Sequence, residues 1–311
     1  LADSASRDIR VARALAYAGY SYVYLGEMNC VTPIDLGVPK SSEEIFADAI
    51  TRFEEAISIA SAAKTYLQSL PSPNANAIAA TDSVRNFALV GAARAALNRD
   101  DKTQAVAFAT QVPAAFEFRA YYSDNTTAQH HRTHNRLQLG SSGTMLNTPF
   151  AAMASDPRIP RTSAAAFTKP LSPPSYSTFN NTVAGAPFAA IMSVRVASGL
   201  EAQYIVAEAD GNTAATLTFV NQRRAAGLQT ALALAPGDPQ ILANLRDQRS
   251  RDFYLDNHRM GDLRRYKKYY SVNLFPTGAY PGSTSGQIYN DGTDCWPLPI
   301  SEINGNPNIP K

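Results

Sequence analysis

The sequence predicts a mostly α fold, a stack of helical hairpins interrupted by long irregular loops. Two observations lead there. Over the first third, and again after about residue 198, apolar and small residues recur at helical spacing between cap and stop signals. From 119 to 187, and again from 271 to 311, that periodicity gives way to Ser, Thr, Asn, Pro and Gly with scattered aromatics.

The first helix is expected over 5–28, with Val11, Leu15, Ala18, Tyr22 and Leu25 as its apolar stripe. Gly26 and Thr32-Pro33 stop it. Ser41 and Glu44 are spaced as a capping box for the second helix. That helix runs to about Leu67 with Ile45, Ala49, Phe53, Ala56, Ile57 and Ala60 on one face, and Pro71 and Pro73 break it. A third helix spans roughly 76–98, and a fourth follows the turn after Asn98. This helix–turn–helix alternation, with Ala49-x-x-x-Phe53 and the small residues of 14–26, echoes the tetratricopeptide pattern. Each hairpin leaves an apolar face that the next one covers. Helices return from about Ser198 to Gly211, from Thr213 to Ala226, and from the turn at Pro236–Pro239 through Leu255, and a short basic helix or turn follows from Asp262 to Tyr269.

Composition narrows the function. The chain has 311 residues, 45% of them hydrophobic and 17% charged, with a net charge of +2. That supports a full core and argues against a disordered, solvating chain. The basic residues are dispersed, so no stripe tracks a phosphate backbone and nucleic acid is not expected as a partner. No apolar run reaches bilayer length, and the first residues show no signal peptide, so a mature or trimmed chain is expected. The two cysteines, Cys30 and Cys295, form either one disulfide or two separate buried thiols.

Four segments carry a family resemblance. They are Glu201-Ala-Gln-Tyr-Ile-Val-Ala-Glu-Ala209, Phe219-Val-Asn-Gln-Arg-Arg-Ala-Ala-Gly-Leu228, the run from Arg246 to Arg265, and the closing Pro297-Leu-Pro-Ile-Ser-Glu-Ile-Asn304. In this order, with Ala12-Arg-Ala-Leu-Ala-Tyr-Ala-Gly-Tyr20 ahead of them and Asn306-Pro-Asn-Ile309 behind, they resemble the SusD/RagB family of bacterial surface nutrient-binding lipoproteins. The run Phe253 to Arg265 resembles that family's acidic-aromatic helix and its His-Arg-x-x-Asp-Leu-x-Arg signature, and Asp156-Pro-Arg158 resembles a short turn common in it. Gln248 stands where the family usually has Glu, Asn257 where it has Gly, and Met260 where it has an aromatic. The chain is also shorter than typical members.

The resemblance implies one SusD-like domain over 1–311: helical hairpins at 1–117, a loop-rich insertion at 118–187, helices at 188–270 and a loop-rich tail at 271–311. It implies a glycan or other nutrient as ligand and a SusC-like TonB-dependent outer-membrane barrel as partner. It also implies a lipid anchor upstream of Leu1, no cofactor and no catalysis. A helical-repeat scaffold for another protein is the alternative, and a glycosidase the third reading.

A sugar ring binds by stacking its C–H face on an aromatic while Asn, Asp or Arg take the hydroxyls. The loops hold both ingredients, and the expected ligand contacts are Tyr121, Tyr122, Asn125, Tyr176, Asn180, Tyr280, Tyr289 and Asp291, with Gln287 and Asn290 nearby. Trp296 is expected as a core anchor. Arg249, Asp252, Arg259, Asp262 and Arg265 are spaced for Arg–carboxylate forks, with Glu201 and Glu208 as partners across a neighbouring helix, so a structural ion network is expected. His258 packs in the same corner. His130, His131 and His134 have two ligands at i, i+4 but no third, so a solvated loop is expected rather than a metal site.

Overall fold

The computed structural model describes residues 5–123, 125–129, 149–153, 155–159, 161–164, 167–170, 193–278, 288 and 292–309. Four helices begin the chain: α1 (Ile9–Met28), α2 (Ser42–Gln68), α3 (Ala75–Asn98) and α4 (Lys102–Ala109). Each starts on a side-chain cap, from Asp8, Ser41, Asn74 and Asp101 in turn. Such caps satisfy amide groups that the first helical turn leaves without partners. The Ser41–Glu44 capping box forms as expected.

α3 lies at the centre. From Phe87 to Asn98 every residue is buried, because α1, α2 and α4 cover one side and the second half of the chain the other. A helix apolar all round suits such a position. The ring of Phe53 on α2 wedges against glycines of both neighbours: a Cβ at Gly19 would sit 2.7 Å from it, and one at Gly91 2.3 Å. Gly91→Ala is therefore expected to cost about 1–3 kcal/mol by overpacking, more than the roughly 1 kcal/mol it gains in helix propensity. A lowered urea midpoint would show it. The rings of Tyr20, Phe87 and Phe118 stack in series, with centroids 4.4 and 3.9 Å apart.

Past α4 the chain forms β1 (Glu117–Ala120), then a β2 (Arg161–Ala164) and β3 (Phe167–Pro170) antiparallel hairpin, then β4 (Val194–Ser198). β1 and β4 pair antiparallel, with a bulge after Phe118. Helices α5 (Gly199–Asp210), α6 (Ala214–Ala226), α7 (Gln240–Asp252) and α8 (Arg259–Tyr270) follow, and the short α9 (Ile300–Gly305) lies in the tail. Tyr204, Val220, Leu245 and Phe253 form a second core among α5, α6 and α7. α5 packs on α3 and α4, which joins this core to the first.

The architecture is mostly α and has the hairpin stack that the sequence predicts. Three details differ. The buried face of α1 is Ala12, Ala16, Gly19, Tyr20 and Val23, rotated from the expected stripe, and Val11 is exposed. Close helix crossings place small residues in the contact and push larger apolar ones to its flanks. The strands β1 and β4 are not among the expected elements; each is short and pairs only with a distant segment. The helix expected through Leu255 ends at Asp252, where Leu255 and Asn257 take left-handed backbone angles, φ 63° and 61°. Asn tolerates that region better than most residues, which explains how it replaces Gly at 257.

Candidate functional site

Where α1, α3, α5, α7 and α8 meet, charged side chains are buried together. Arg94, between Ala93 and Ala95 on α3, makes a two-pronged contact with Glu27 of α1 at 2.8 and 2.7 Å and donates to the Asn257 carbonyl at 2.9 Å. Gly261 leaves the space that Glu27 occupies, since a Cβ there would lie 2.4 Å from its carboxyl carbon. Arg265 bridges Glu208, Asp262 and Asn98, and Arg249 donates to both oxygens of Asp262. Burial would raise the Asp262 carboxyl, but Arg249 and Arg265 outweigh it and hold Asp262 well below the usual carboxylate range. Glu201 follows the same balance, with burial offset by His258, Arg94 and Arg249.

This is the expected ion network with two corrections. Arg259 takes no carboxylate in it; its guanidinium lies 5.9 Å from the Phe150 ring centre, and burial lowers its pKa. Asp252 turns away from α8 and instead receives Tyr204, Arg158 and Arg223. Arg158 is aimed there by the Asp156-Pro-Arg turn, in which Asp156 accepts its backbone and guanidinium nitrogens. Gly227 gives this pair room, since a Cβ would meet Arg158 at 2.3 Å.

Depressed carboxylates make the corner acid-labile. Asp262 and Glu201 bind protons less readily folded than unfolded. Their contribution is thus present above the unfolded range, about pH 4, and is lost as pH falls below it. A urea midpoint that falls between neutral pH and about pH 3 is the expected result.

The corner opens outward into a cavity of about 330 Å³ between the end of α1, the start of α2, α8 and residue Asp294. Its walls carry Glu43, Arg264, Lys267, Lys268, Tyr269 and Asp294. Lys267 pairs with Asp294 at 2.7 Å, and Lys268 with Glu43. Arg264 donates to the Gly26 and Asn29 carbonyls at the end of α1, and to Ser42. Charged donors and acceptors thus line the opening together, groups of the kind that fix a polyhydroxylated ligand. A second hollow, of about 280 Å³ between α4, α5 and α6, has walls of Ala109, Val112, Val206 and Phe219 and offers fewer such groups.

Asp294 is held in place by covalent and backbone bonds. Cys30 and Cys295 form a disulfide, S–S 1.97 Å. Beside it the Trp296 amide donates to the Met28 carbonyl, and the Cys30 amide donates to that of Trp296. The Trp296 side chain is not the expected core anchor: it is 60% exposed. The bonds that fix its backbone on the end of α1 leave the indole outside. It is the chain's single tryptophan, presented two residues along the chain from the cleft residue Asp294. Sequence reasoning missed both Trp296 and Asp294 as site candidates. An aromatic beside an acidic residue and a cysteine was the available signal.

Of the expected ligand contacts, Tyr121, Tyr122 and Asn125 lie together just beyond β1. Tyr121 is exposed, Tyr122 is half-buried with burial raising its hydroxyl pKa, and Asn125 is exposed. Tyr176, Asn180, Tyr280, Gln287, Tyr289, Asn290 and Asp291, like His130, His131 and His134, lie outside the described residues. Among the described residues no group of His, Cys, Asp or Glu is arranged to hold a metal. None of their helices is long and apolar enough to cross a membrane.

No protein-family model matches the chain, and no curated protein matches it. Solved structures do match in fold. A SusD superfamily protein from Bacteroides vulgatus superposes with a TM-score of 0.58 at 17% identity, covering 90% of this chain and 69% of that one. A second from the same species gives 0.54 at 14% identity, covering 96% and 76%. Surface glycan-binding protein A from Bacteroides uniformis gives 0.53 at 12% identity, with the same coverage. The chain has the SusD-like fold.

Proposed function

We propose that this protein is a cell-surface nutrient-binding protein that captures an oligosaccharide or polysaccharide without cleaving it. The observation that carries this reading is the SusD-like fold, shared with a protein named for surface glycan binding. The disulfide agrees with an oxidising, extracytoplasmic location. A lipid anchor ahead of Leu1 would hold the protein at the outer membrane.

The ligand contacts proposed are Trp296 with the Glu43, Lys267 and Asp294 cleft, and the loop set Tyr121, Tyr122, Asn125, Tyr176, Asn180, Tyr280, Tyr289 and Asp291. Indole and phenol rings supply the stacking face, while the cleft's ions take hydroxyls. The acceptor of the cargo is a SusC-like TonB-dependent barrel. The loop that carries the exposed Leu36 and Val38 is tied to the tail that carries the exposed Ile300 by bonds from Asn306 and Asn308. Exposed apolar groups of this kind suit a protein partner.

Calorimetric titration against soluble plant, microbial and host polysaccharides tests the reading, with product analysis of every mixture. Tryptophan fluorescence, read in parallel, reports on one residue. Binding with an indole shift and no cleavage is expected, and Trp296→Ala should weaken it at least tenfold. Cleaved product in any mixture would overturn the non-catalytic reading. Binding that Trp296→Ala leaves unchanged would move the site to the loop tyrosines.

A further inference from the structure

One positive charge in the wall of the cleft has no carboxylate of its own. Lys267 is paired with Asp294, and Lys268 with Glu43. Glu27 is held by Arg94, and Arg265 by Glu208 and Asp262, partners that lie buried behind the wall. Arg264 makes no ion pair with any described residue. Its guanidinium donates to the carbonyls of Gly26 and Asn29 and to the hydroxyl of Ser42. Those acceptors are neutral groups. The last turn of α1 and the first turn of α2 both border the cleft, and such ends bring about half a charge each, opposite in sign, so they cancel there. Burial disfavours the charge on Arg264 by more than Asp294, Glu27 and Glu43 support it, and its pKa is lowered.

The same side chain has bonds left to give. A guanidinium carries five N–H groups. Arg264 makes two bonds from Nη1, at 2.8 and 3.1 Å, and one from Nη2, at 3.2 Å. Nε and Nη2 each keep an N–H with no partner among the described residues. Those are the two nitrogens with which Arg94 grips Glu27, at 2.8 and 2.7 Å, and Arg265 grips Glu208, at 2.9 and 3.0 Å. Two-pronged contact of this kind is specific to planar anions such as carboxylates. The nearest acids of the cleft are already committed to lysines, so the anion that completes Arg264 comes from outside the chain.

For a protein that captures glycans, as proposed, we infer that the cleft selects an acidic sugar, a uronate whose carboxylate binds Arg264 while Trp296 covers a C–H face. Glu43 and Asp294, neutralised by their lysines, accept hydroxyls of the same or the adjoining sugar. A neutral sugar in this place would cover Arg264 further without supplying a counter-charge, which is unfavourable. The cleft therefore discriminates by charge as well as by shape. Salt weakens an attraction of this kind, because mobile ions screen it.

Calorimetric titration of the unaltered protein with polygalacturonate, alginate and hyaluronan, each beside its carboxyl-reduced neutral form, tests this. One acidic polymer of the three should bind more tightly than its neutral form by about tenfold or more, and raising the salt should narrow the gap. Arg264→Gln, checked for folding by its urea midpoint, should bring the acidic polymer down to the affinity of the reduced one. Equal affinity for an acidic polymer and its reduced form would overturn the inference and leave glycan capture standing. Neutral polysaccharides that bind while all three acidic polymers fail would do the same. Acidic binding that a folded Arg264→Gln protein keeps in full would also overturn it. Silence towards every polymer, acidic and neutral, would overturn both the inference and the capture reading. If Arg264→Gln does not fold, the comparison of acidic with reduced polymer decides.

Discussion

Arg94→Met is expected to destabilise the protein by about 3–5 kcal/mol, the cost of leaving a buried charge without its partner. A typical domain has about 5–15 kcal/mol in total, so the variant is expected to be marginal at 37 °C or unfolded. Methionine replaces much of the volume, so the loss is electrostatic rather than a cavity. Glu27 keeps Asn98 as its remaining close partner, and the Asn257 carbonyl, in a left-handed turn, loses its donor. Arg94→Lys should recover only part of the loss, because an ammonium cannot make the two-pronged contact. Adding Glu27→Gln to Arg94→Met should restore about 0.5–3 kcal/mol relative to the sum of the single changes. Urea unfolding of the unaltered protein, the three single variants and the double variant measures this. A cost below about 1 kcal/mol for Arg94→Met alone would mean the pair is not needed by the fold.

Cys30→Ala with Cys295→Ala should lower global stability by about 2–4 kcal/mol. The bond spans 265 residues, and a loop that long withholds much of the unfolded chain's freedom. The folded state recovers part of this by letting the tail go. Without the disulfide, the described part of 292–309 keeps mainly the Trp296 backbone bonds, the Lys267–Asp294 pair, and Asn306 and Asn308 on residues 36 and 37. Limited proteolysis should then cut within 292–309 before any cut in α1–α3, whereas the oxidised protein resists at both places. Cuts at equal rates in tail and helices would instead make the bond a support of the whole fold.

Much of the frame was readable from the chain because helix ends are local. Ser41 with Glu44, Gly211 and the proline pairs each act on a few neighbouring residues. The network around α8 was also readable, because Asp262 and Arg265 sit three residues apart on one helix and Arg249 lies on the helix before it, across one turn of the chain. Arg94 and Glu27 were missed, since their contact joins positions 67 residues apart. A sign of them existed: an arginine within the small-residue run Gly91-Ala-Ala-Arg-Ala-Ala96 has no solvated face to occupy, and it needs a buried acid. Arg259 was assigned to the network by spacing, but the turn before α8 rotates it towards Phe150. For the candidate site the signal was weaker. Asp294 and Trp296 gain their place from a disulfide partner far away in sequence, which spacing cannot reveal.

The pairing of β1 with β4 has a consequence for how such a chain can diversify. Ala120 and Val194 lie opposite each other, so the chain leaves the helical frame and rejoins it at one seam, and between these points Asp156 and Arg158 touch the frame again at Arg251 and Asp252. Lengthening a segment anchored in this way costs little: doubling a loop adds about 0.6 kcal/mol of closure entropy. Loops of this kind tolerate replacement while the elements that hold them stay fixed. A graft between positions 121 and 193 that keeps 149–159, where Asp156 and Arg158 hold Arg251 and Asp252, should therefore be accepted without a new folding problem.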